Sequence, residues 1–166
     1  MIKVVENTFS APTLEKLKTF TRDGRQPSSI NFFDWTINVT GMSNAIFKFE
    51  LTEDLKELVA KELIDKNILP SVPKKWGIAV QLCSRMSCIP WHDDPPWVFS
   101  ATVYLNNEWN PDWGGYFAYE DGNEIKTIIP SHNKAVSFKT PLRHSVLLTA
   151  INSPFREALQ IFVKEF

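Results

Sequence analysis

Apolar residues in the first part of the chain recur at the three- and four-residue spacing of a helix. Leu14, Leu17 and Phe20 share one helical face, and Ser10 before them is a suitable N-cap residue. The pattern ends at Gly24, a residue type that disfavours continuation of a helix. The sequence therefore predicts a short amphipathic helix that begins after Ser10.

A second helical stripe follows. Thr52 is its predicted N-cap, acidic residues follow in the first turn, where the helix dipole favours them, and the stripe consists of Leu55, Leu58, Val59 and Leu63. Between the two predicted helices, Ile30–Val39 and Ala45–Leu51 have the composition of short strands.

From Trp76 onward the chain changes to short β-type runs. Turn-forming pairs such as Gly-Gly, Asp-Gly and Ser-Pro separate them. The predicted strands are Trp76–Cys83, Phe99–Leu105, Gly115–Tyr119, Glu124–Ile129, Lys134–Phe138, Arg143–Leu148 and Arg156–Val163. Helices followed by many strands predict an α+β, mainly β fold, in which N-terminal helices buttress one sheet of a β-sandwich or barrel.

The length and composition are those of one folded domain. The chain has 166 residues, of which 43% are apolar and 13% aromatic, enough to form a core. We therefore predict one domain over residues 1–166. Cys83 and Cys88 are predicted to be free thiols, because two thiols alone do not make a structural zinc site.

The charge pattern narrows the classes of partner. A net charge of −1 and a pI of about 6.3 argue against a nucleic-acid partner, because such binding relies on a basic surface. The apolar runs are too short for a membrane span, and the first ten residues lack the features of a signal peptide. These features predict a soluble, cytoplasmic protein, and they indicate no oligomeric state.

Three histidines, His92, His132 and His144, occur in the chain. His92 opens the tripeptide His92-Asp93-Asp94, and residues two apart on an extended chain point to the same side. An imidazole and the Asp94 carboxylate can therefore meet, and His144 on a later strand can add a third ligand. Two histidines and one carboxylate form the facial triad of non-haem iron(II) enzymes. The alternative is that His92 and Asp94 only hydrogen-bond each other in a turn.

Strand alternation also selects one arginine. In the last predicted strand, Arg156 shares a face with Ala158 and Gln160, whereas the opposite face is mostly large and apolar. Arg156 is therefore predicted to point into the interior, where a buried guanidinium needs an anion such as a carboxylate. Arg143 is adjacent to His144 and would point the opposite way. The alternative is an exposed Arg156 at the start of a strand.

Tyr104, on an earlier predicted strand, is a second candidate to point into the interior. It has the parity of Thr102, opposite to the apolar set of the same strand, so its phenol could donate to an anionic ligand. A core tyrosine with its hydroxyl at the rim is the alternative.

The order of these residues resembles the prolyl-hydroxylase-type branch of the iron(II)- and 2-oxoglutarate-dependent oxygenases. The resemblance covers residues 90–166. It rests on an ordered series of elements: His92-Asp93-Asp94, Tyr104-Leu105-Asn106, Trp109, Gly114-Gly115, Lys134-Ala135-Val136-Ser137-Phe138, His144-Ser145-Val146 and Arg156.

The resemblance implies a double-stranded β-helix, or jelly-roll, over residues 76–166, with residues 1–75 as a supporting region. It implies that His92, Asp94 and His144 bind iron(II), that Arg156 holds the distal carboxylate of 2-oxoglutarate, and that Tyr104 assists. The implied reaction is hydroxylation of an unactivated C–H bond with O2, coupled to decarboxylation of 2-oxoglutarate to succinate and CO2, with ascorbate as an optional cofactor.

Two positions depart from the family pattern. The strand before the metal motif lacks the family's further tyrosine and carries Gln81 in that region, which makes Gln81 a candidate substitute donor. Ala158 stands where some branches have a serine two residues after the arginine.

The substrate is predicted only as a class, either a prolyl or other peptidyl residue or a small molecule. The aromatic residues and prolines around the metal motif could hold the substrate or pack the rim: Trp91, Pro95, Pro96 and Trp97. A second aromatic set could form a lid or be the core face of a β-strand: Phe32, Phe33 and Trp35. His132 is predicted to be a surface turn residue. The alternative functions are a cupin-like metalloenzyme that does not use 2-oxoglutarate and a non-enzymatic jelly-roll binding module.

Overall fold

The structure is a computed structural model and describes residues 2–23, 27–32 and 45–166. In this part of the chain, strands alternate with two α-helices near the N-terminus and one short 3-10 helix. In chain order, the elements are β1 (Ile2–Val5), α1 (Ala11–Arg22), β2 (Ser29–Phe32), β3 (Ala45–Glu50), α2 (Glu53–Asp65), β4 (Lys75–Cys83), β5 (Ile89–His92), β6 (Phe99–Tyr104), the 3-10 helix (Pro111–Trp113), β7 (Phe117–Asp121), β8 (Glu124–Ile128), β9 (Ala135–Lys139), β10 (His144–Val146) and β11 (Arg156–Glu165).

The strands form two antiparallel sheets. The larger sheet has seven strands in the order β1-β9-β6-β11-β4-β3-β2, and the smaller has four in the order β5-β10-β7-β8. From β4 to β11 the chain passes repeatedly between the two sheets, which is the arrangement of a double-stranded β-helix. The predicted mainly β, jelly-roll fold is therefore confirmed.

Both helices cover the outer face of the seven-stranded sheet. Leu14, Leu17 and Phe20 of α1 and Val59 and Leu63 of α2 belong to one buried apolar cluster. The sheet contributes every second residue of its central strands to that cluster: Ile78 and Val80 of β4, Ala101 and Val103 of β6, and Leu159, Ile161 and Val163 of β11. The helices thus buttress one sheet as predicted, and the remaining positions of these strands face the other sheet.

Most predicted element bounds agree with the structure within a few residues, but two strands were missed. β5 contains Pro90, a residue that disfavours a strand, and it is tolerated because β5 is an edge strand. β1 has only four residues, two of them exposed, so its pattern was too short to recognise. Of the predicted strand Ile30–Val39, residues 33–39 lie outside the described residues, as do Gly24, Phe33 and Trp35.

Two further sequence predictions concern the thiols and the membrane. Cys83 and Cys88 are both buried, and neither takes part in a disulfide, as predicted. Within the described residues, neither helix has the length and apolar character that a bilayer crossing requires.

A carboxylate of α2 caps the N-terminus of α1. Glu62 of α2 accepts hydrogen bonds from the Ser10 backbone N–H at 2.7 Å, from Ser10 Oγ at 2.7 Å and from Thr13 Oγ1 at 2.6 Å. The negative group thus lies at the positive end of α1. Burial opposes ionisation of Glu62, but the hydrogen bonds from Thr13 and Ser10 outweigh it and lower the pKa of the carboxyl.

Glu62→Ala is expected to lower the free energy of unfolding by about 1 kcal/mol at pH 7, the usual contribution of a helix cap. Because the folded-state pKa is lowered, this contribution is complete above the unfolded pKa of about 4.3 and disappears as the pH falls through the folded value. Urea unfolding of both proteins between pH 7 and pH 3 measures the difference. Glu57→Ala, an exposed position on the same helix, is the control, and a difference that stayed constant to pH 3 would contradict the capping role.

Candidate metal centre

Three side chains from two neighbouring segments converge between the sheets. His92 on β5 is directly opposite His144 on β10, and Asp94 follows two residues after His92. One ligand atom from each lies within 4.8 Å of the others. The Nε2 atoms of His92 and His144 each lie 3.6 Å from an oxygen of the Asp94 carboxylate. Asp93 is exposed, so the selection of Asp94 by strand parity agrees with the structure.

The other ring nitrogens fix how the two imidazoles are presented. His92 Nδ1 lies 2.7 Å from the Pro90 carbonyl oxygen, and His144 Nδ1 lies 2.8 Å from the Leu142 carbonyl oxygen. Because a carbonyl oxygen only accepts, each Nδ1 must carry the proton that it donates. In the neutral ring the Nε2 lone pair then faces the cluster, which is the arrangement found in metal-binding histidines.

The carboxylate of Asp94 is held in its charged form. Burial acts to raise the pKa of Asp94, but the imidazoles of His92 and His144 when they are protonated, together with the hydrogen bond from Ser100, lower it overall. Ser100 Oγ donates to Asp94 Oδ2 at 2.9 Å. Burial also acts to lower the pKa of His92, although Asp94 and the Pro90 carbonyl raise it overall, whereas burial lowers the pKa of His144. Two imidazole nitrogens and a carboxylate are a donor set that suits iron(II).

A second polar group lies on the inner face of β11 and β6. Arg156 is 4% exposed and Tyr104 is fully buried, and the Arg156 Cζ atom lies 5.1 Å from the centre of the Tyr104 ring. Burial raises the pKa of Tyr104, although Arg156 opposes it, so the phenol stays protonated. Among the described residues, Tyr104 Oη and Arg156 Nε are the buried side-chain polar atoms without a hydrogen-bond partner. Such atoms are costly unless a ligand satisfies them, and these two suit an anion.

Gly115, in the segment between the 3-10 helix and β7, lies beside the stem of Arg156. Gly115 has a φ of +66°, and a Cβ built there would lie 2.8 Å from Thr149 Cγ2 and 3.6 Å from Arg156 Cδ. A side chain at this position would therefore press on Thr149 and contact the stem of Arg156. The positive φ and the close approach of Thr149 and Trp109 therefore favour glycine here, whereas the distance to the arginine stem is an ordinary van der Waals contact.

One cavity of about 270 Å³ connects the histidine–aspartate cluster with Arg156. Thr102 Oγ1 donates to Gln160 Oε1 at 2.7 Å in its wall, which leaves the Gln160 amide N–H groups as donors. The other lining residues are apolar apart from Gln81: Ile46, Ile89, Phe117, Phe138, Val146 and Phe162. Tyr104 is not itself a lining residue and reaches the cavity only through Arg156.

The remaining sequence candidates lie elsewhere. Arg143 is exposed, and its Nε lies 3.3 Å from Glu120 Oε1, which agrees with the choice of Arg156. His132 lies in a turn, as predicted, but it is half-buried and its Nδ1 lies 2.8 Å from the Asn106 carbonyl oxygen. Trp97 stacks on Phe162 with 5.5 Å between the ring centres, so one of the predicted aromatic walls contacts a cavity residue.

Ser100 was missed by the sequence analysis. It has the same parity as Thr102 and Tyr104, so the alternation along β6 already placed it on the inner face. Its partner could not be read from the pattern, because Asp94 belongs to the segment that follows β5.

The family model described as the 2OG-Fe(II) oxygenase superfamily matches residues 80–164. The chain belongs to this superfamily. This 2OG-Fe(II) oxygenase is therefore a 2-oxoglutarate-dependent dioxygenase that uses iron(II), 2-oxoglutarate and O2. The cupin-like alternative without 2-oxoglutarate and the non-enzymatic binding module are both set aside by this membership. No curated protein sequence matches the oxygenase significantly.

Solved structures share the fold of the oxygenase at low sequence identity. A prolyl-4-hydroxylase from Pseudomonas putida matches with a TM-score of 0.71 and 16% identity, over 99% of this chain and 92% of its own. A prolyl hydroxylase from Trichoplax adhaerens was solved with a peptide fragment of the hypoxia inducible factor oxygen degradation domain. It matches with a TM-score of 0.70 and 15% identity, over 98% of this chain and 82% of its own. A collagen prolyl hydroxylase from Paramecium Bursaria Chlorella virus-1, solved with 2OG, matches with a TM-score of 0.59 and 13% identity, over 98% of this chain and 95% of its own.

Ser100→Ala is expected to weaken metal binding roughly tenfold, because the hydrogen bond that orients the Asp94 carboxylate is lost. Titration of the metal-free protein with Co(II), followed by its visible absorption, measures the affinity. The matched control is Ser137→Ala, a buried serine on the adjacent strand β9 that does not line the cavity. Equal affinities in both variants would show that the Ser100 hydroxyl does not orient the carboxylate.

Proposed function

We propose that His92, Asp94 and His144 bind the iron(II) of this oxygenase, and that Arg156 and Tyr104 hold the distal carboxylate of 2-oxoglutarate. The observation that carries the proposal is one cavity that has the three-ligand cluster at one end and, at the other, a buried arginine whose Nε has no hydrogen-bond partner. A dicarboxylic oxo acid needs both a metal and a cationic group, and this cavity offers both.

The residues present fit the two groups chemically. The cluster supplies two neutral imidazole nitrogens with their Nε2 atoms inward and one ionised carboxylate oxygen. Arg156 supplies a planar set of donors that matches a carboxylate, and Tyr104 supplies a protonated hydroxyl. A bound carboxylate would thus give the Arg156 guanidinium the anionic partner that its buried Nε lacks.

When iron(II), 2-oxoglutarate, O2 and substrate are bound together, they supply the oxidation: one oxygen atom enters the substrate C–H bond, the other enters succinate, and CO2 is released. The chain orients the reactants and excludes water. Phe117, Phe138 and Phe162 provide apolar wall beside the cluster. Asp94 would supply the carboxylate ligand of the metal beside the two imidazoles.

We further propose that the substrate presents an uncharged aliphatic group, and that this group belongs to a peptide. Among the described lining residues, Asp94 and Arg156 are the charged side chains, and their charges together with those of iron(II) and 2-oxoglutarate cancel. A further charge on the entering group would be buried without a partner. The peptide bound by the Trichoplax relative supports a peptide over a free small molecule, and a prolyl residue fits these requirements.

Anaerobic addition of iron(II) and 2-oxoglutarate to the metal-free protein tests the site directly. The wild type is expected to develop the weak visible charge-transfer band of the iron–oxo acid complex, and His144→Ala is expected to show none. Arg156→Ala should need roughly 100-fold more 2-oxoglutarate for the same band, because a charge-assisted carboxylate contact is lost. Spectrophotometric titration measures all three.

Arg143→Ala is the matched control, since it removes an exposed arginine next to His144 and should titrate like the wild type. A wild-type protein without a band would overturn the proposed site. Unchanged titration of Arg156→Ala would overturn the role of the arginine alone.

The proposed substrate class is tested by succinate release with short host peptides that differ in one residue. Peptides with Pro or Leu at that position are expected to raise succinate release above the rate without substrate, and peptides with Lys or Glu are not. Detection of a mass increase of one oxygen atom on the peptide identifies the product. Stimulation by a charged residue, or by free amino acids alone, would contradict the proposed class.

A further inference from the structure

Asn106 brackets the backbone on both sides of the arginine. Its Nδ2 donates to the carbonyl oxygen of Phe155 at 2.9 Å, and its Oδ1 accepts the N–H of Glu157 at 2.8 Å. The side chain is 8% exposed, so both hydrogen bonds are shielded from water. The residue between these two backbone groups is Arg156.

The position of Asn106 explains why a carboxamide lies there. The pairing of β6 with β11 ends at Tyr104, opposite Ala158, and one further backbone hydrogen bond joins Leu105 N–H to the Glu157 carbonyl oxygen. Beyond this point the β6 backbone no longer pairs with the first residues of β11. A carboxamide carries a donor and an acceptor side by side, so it replaces the missing backbone partner for both Phe155 and Glu157.

We propose that Asn106 is a positioning residue for 2-oxoglutarate binding, which acts by fixing the start of β11 and thereby the place of the Arg156 guanidinium in the cavity. This inference rests on the proposed role of Arg156. Asn106 does not line the cavity, so it acts through the arginine and not on the ligand.

The side-chain contacts of Arg156 leave the position of its guanidinium dependent on the position of its backbone. Its stem lies near Gly115, its guanidinium lies over the Tyr104 ring, and its Nε has no hydrogen-bond partner. Because Nε lacks an acceptor among the described residues, the place of the guanidinium depends on the backbone, which β4 holds on one side, where Arg156 pairs with Cys83, and Asn106 holds on the other. Asn106 is itself anchored, because His132 Nδ1 donates to its carbonyl oxygen at 2.8 Å. The turn before β9 is thus connected through Asn106 to the arginine.

Binding of two oxo acids to the Asn106→Ala variant tests this inference. Anaerobic calorimetry with the Mn(II)-loaded protein measures the Kd for 2-oxoglutarate and for 2-oxopentanoate, which lacks the distal carboxylate. The Kd for 2-oxoglutarate is expected to rise roughly tenfold, because two buried backbone groups lose their partner and the arginine is displaced. The Kd for 2-oxopentanoate should stay at the wild-type value, because that ligand presents a methyl group and no carboxylate to Arg156.

Two further variants separate positioning from general destabilisation. Glu62→Ala removes three hydrogen bonds at the start of α1, on the outer side of the larger sheet and away from the cavity. It should lower stability without changing either Kd. Asn106→Asp keeps the acceptor for Glu157 but lacks the donor for Phe155, and it should raise only the Kd for 2-oxoglutarate, which preserves the test where the alanine variant does not fold.

Equal weakening of both oxo acids in the Asn106 variants would overturn the inference, and so would unchanged affinity for both. In either case the wild type still binds 2-oxoglutarate, so the proposed function stands. A wild-type protein that bound neither oxo acid would overturn the proposed function and this inference together.

Discussion

Charge buried between two sheets is the constraint on which the rest of this structure depends. The inner surface of the larger sheet carries Arg156, and the facing segments carry the Asp94 carboxylate, both largely removed from water. Charged groups tolerate such burial only with partners. The outer apolar layer makes the burial possible, since the helices and the alternate residues of β4, β6 and β11 form a core that needs no polar contribution.

Because side chains alternate between the two faces of a strand, polar side chains recur at every second position along the inner face of the sheet. On β6 the inner positions are Ser100, Thr102 and Tyr104, which contact Asp94, Gln160 and Arg156 in turn. The outer positions of the same strand are apolar and buried. One strand therefore supports the candidate metal ligands at one end and the arginine at the other. The spacing of residues along this strand thus sets the distance between the two ends of the cavity.

Much of this arrangement was predictable from residue order. Parity alone selected Asp94 over Asp93 and Arg156 over Arg143, and the structure places all four as expected. Helical spacing identified both helices. Strand alternation predicts the side-chain directions correctly here because one face of each central strand packs on an apolar core, so that apolar and polar residues alternate strictly.

Other features depend on contacts between distant residues and could not be read in this way. β5 escaped recognition because an edge strand tolerates Pro90. The bonds of Asn106 to residues about fifty positions away arise only because two strands end their pairing at that point. Gln81 does line the cavity, but its parity alone does not say whether it replaces the missing tyrosine as a donor to the co-substrate.

The most direct measurement is a crystal structure of the anaerobic protein with Mn(II) and 2-oxoglutarate, with anomalous diffraction used to locate the metal. The account predicts one anomalous peak bounded by His92, Asp94 and His144, and 2-oxoglutarate extending from it with its distal carboxylate on Arg156. A metal peak outside this cluster, or a distal carboxylate directed away from Arg156, would contradict it.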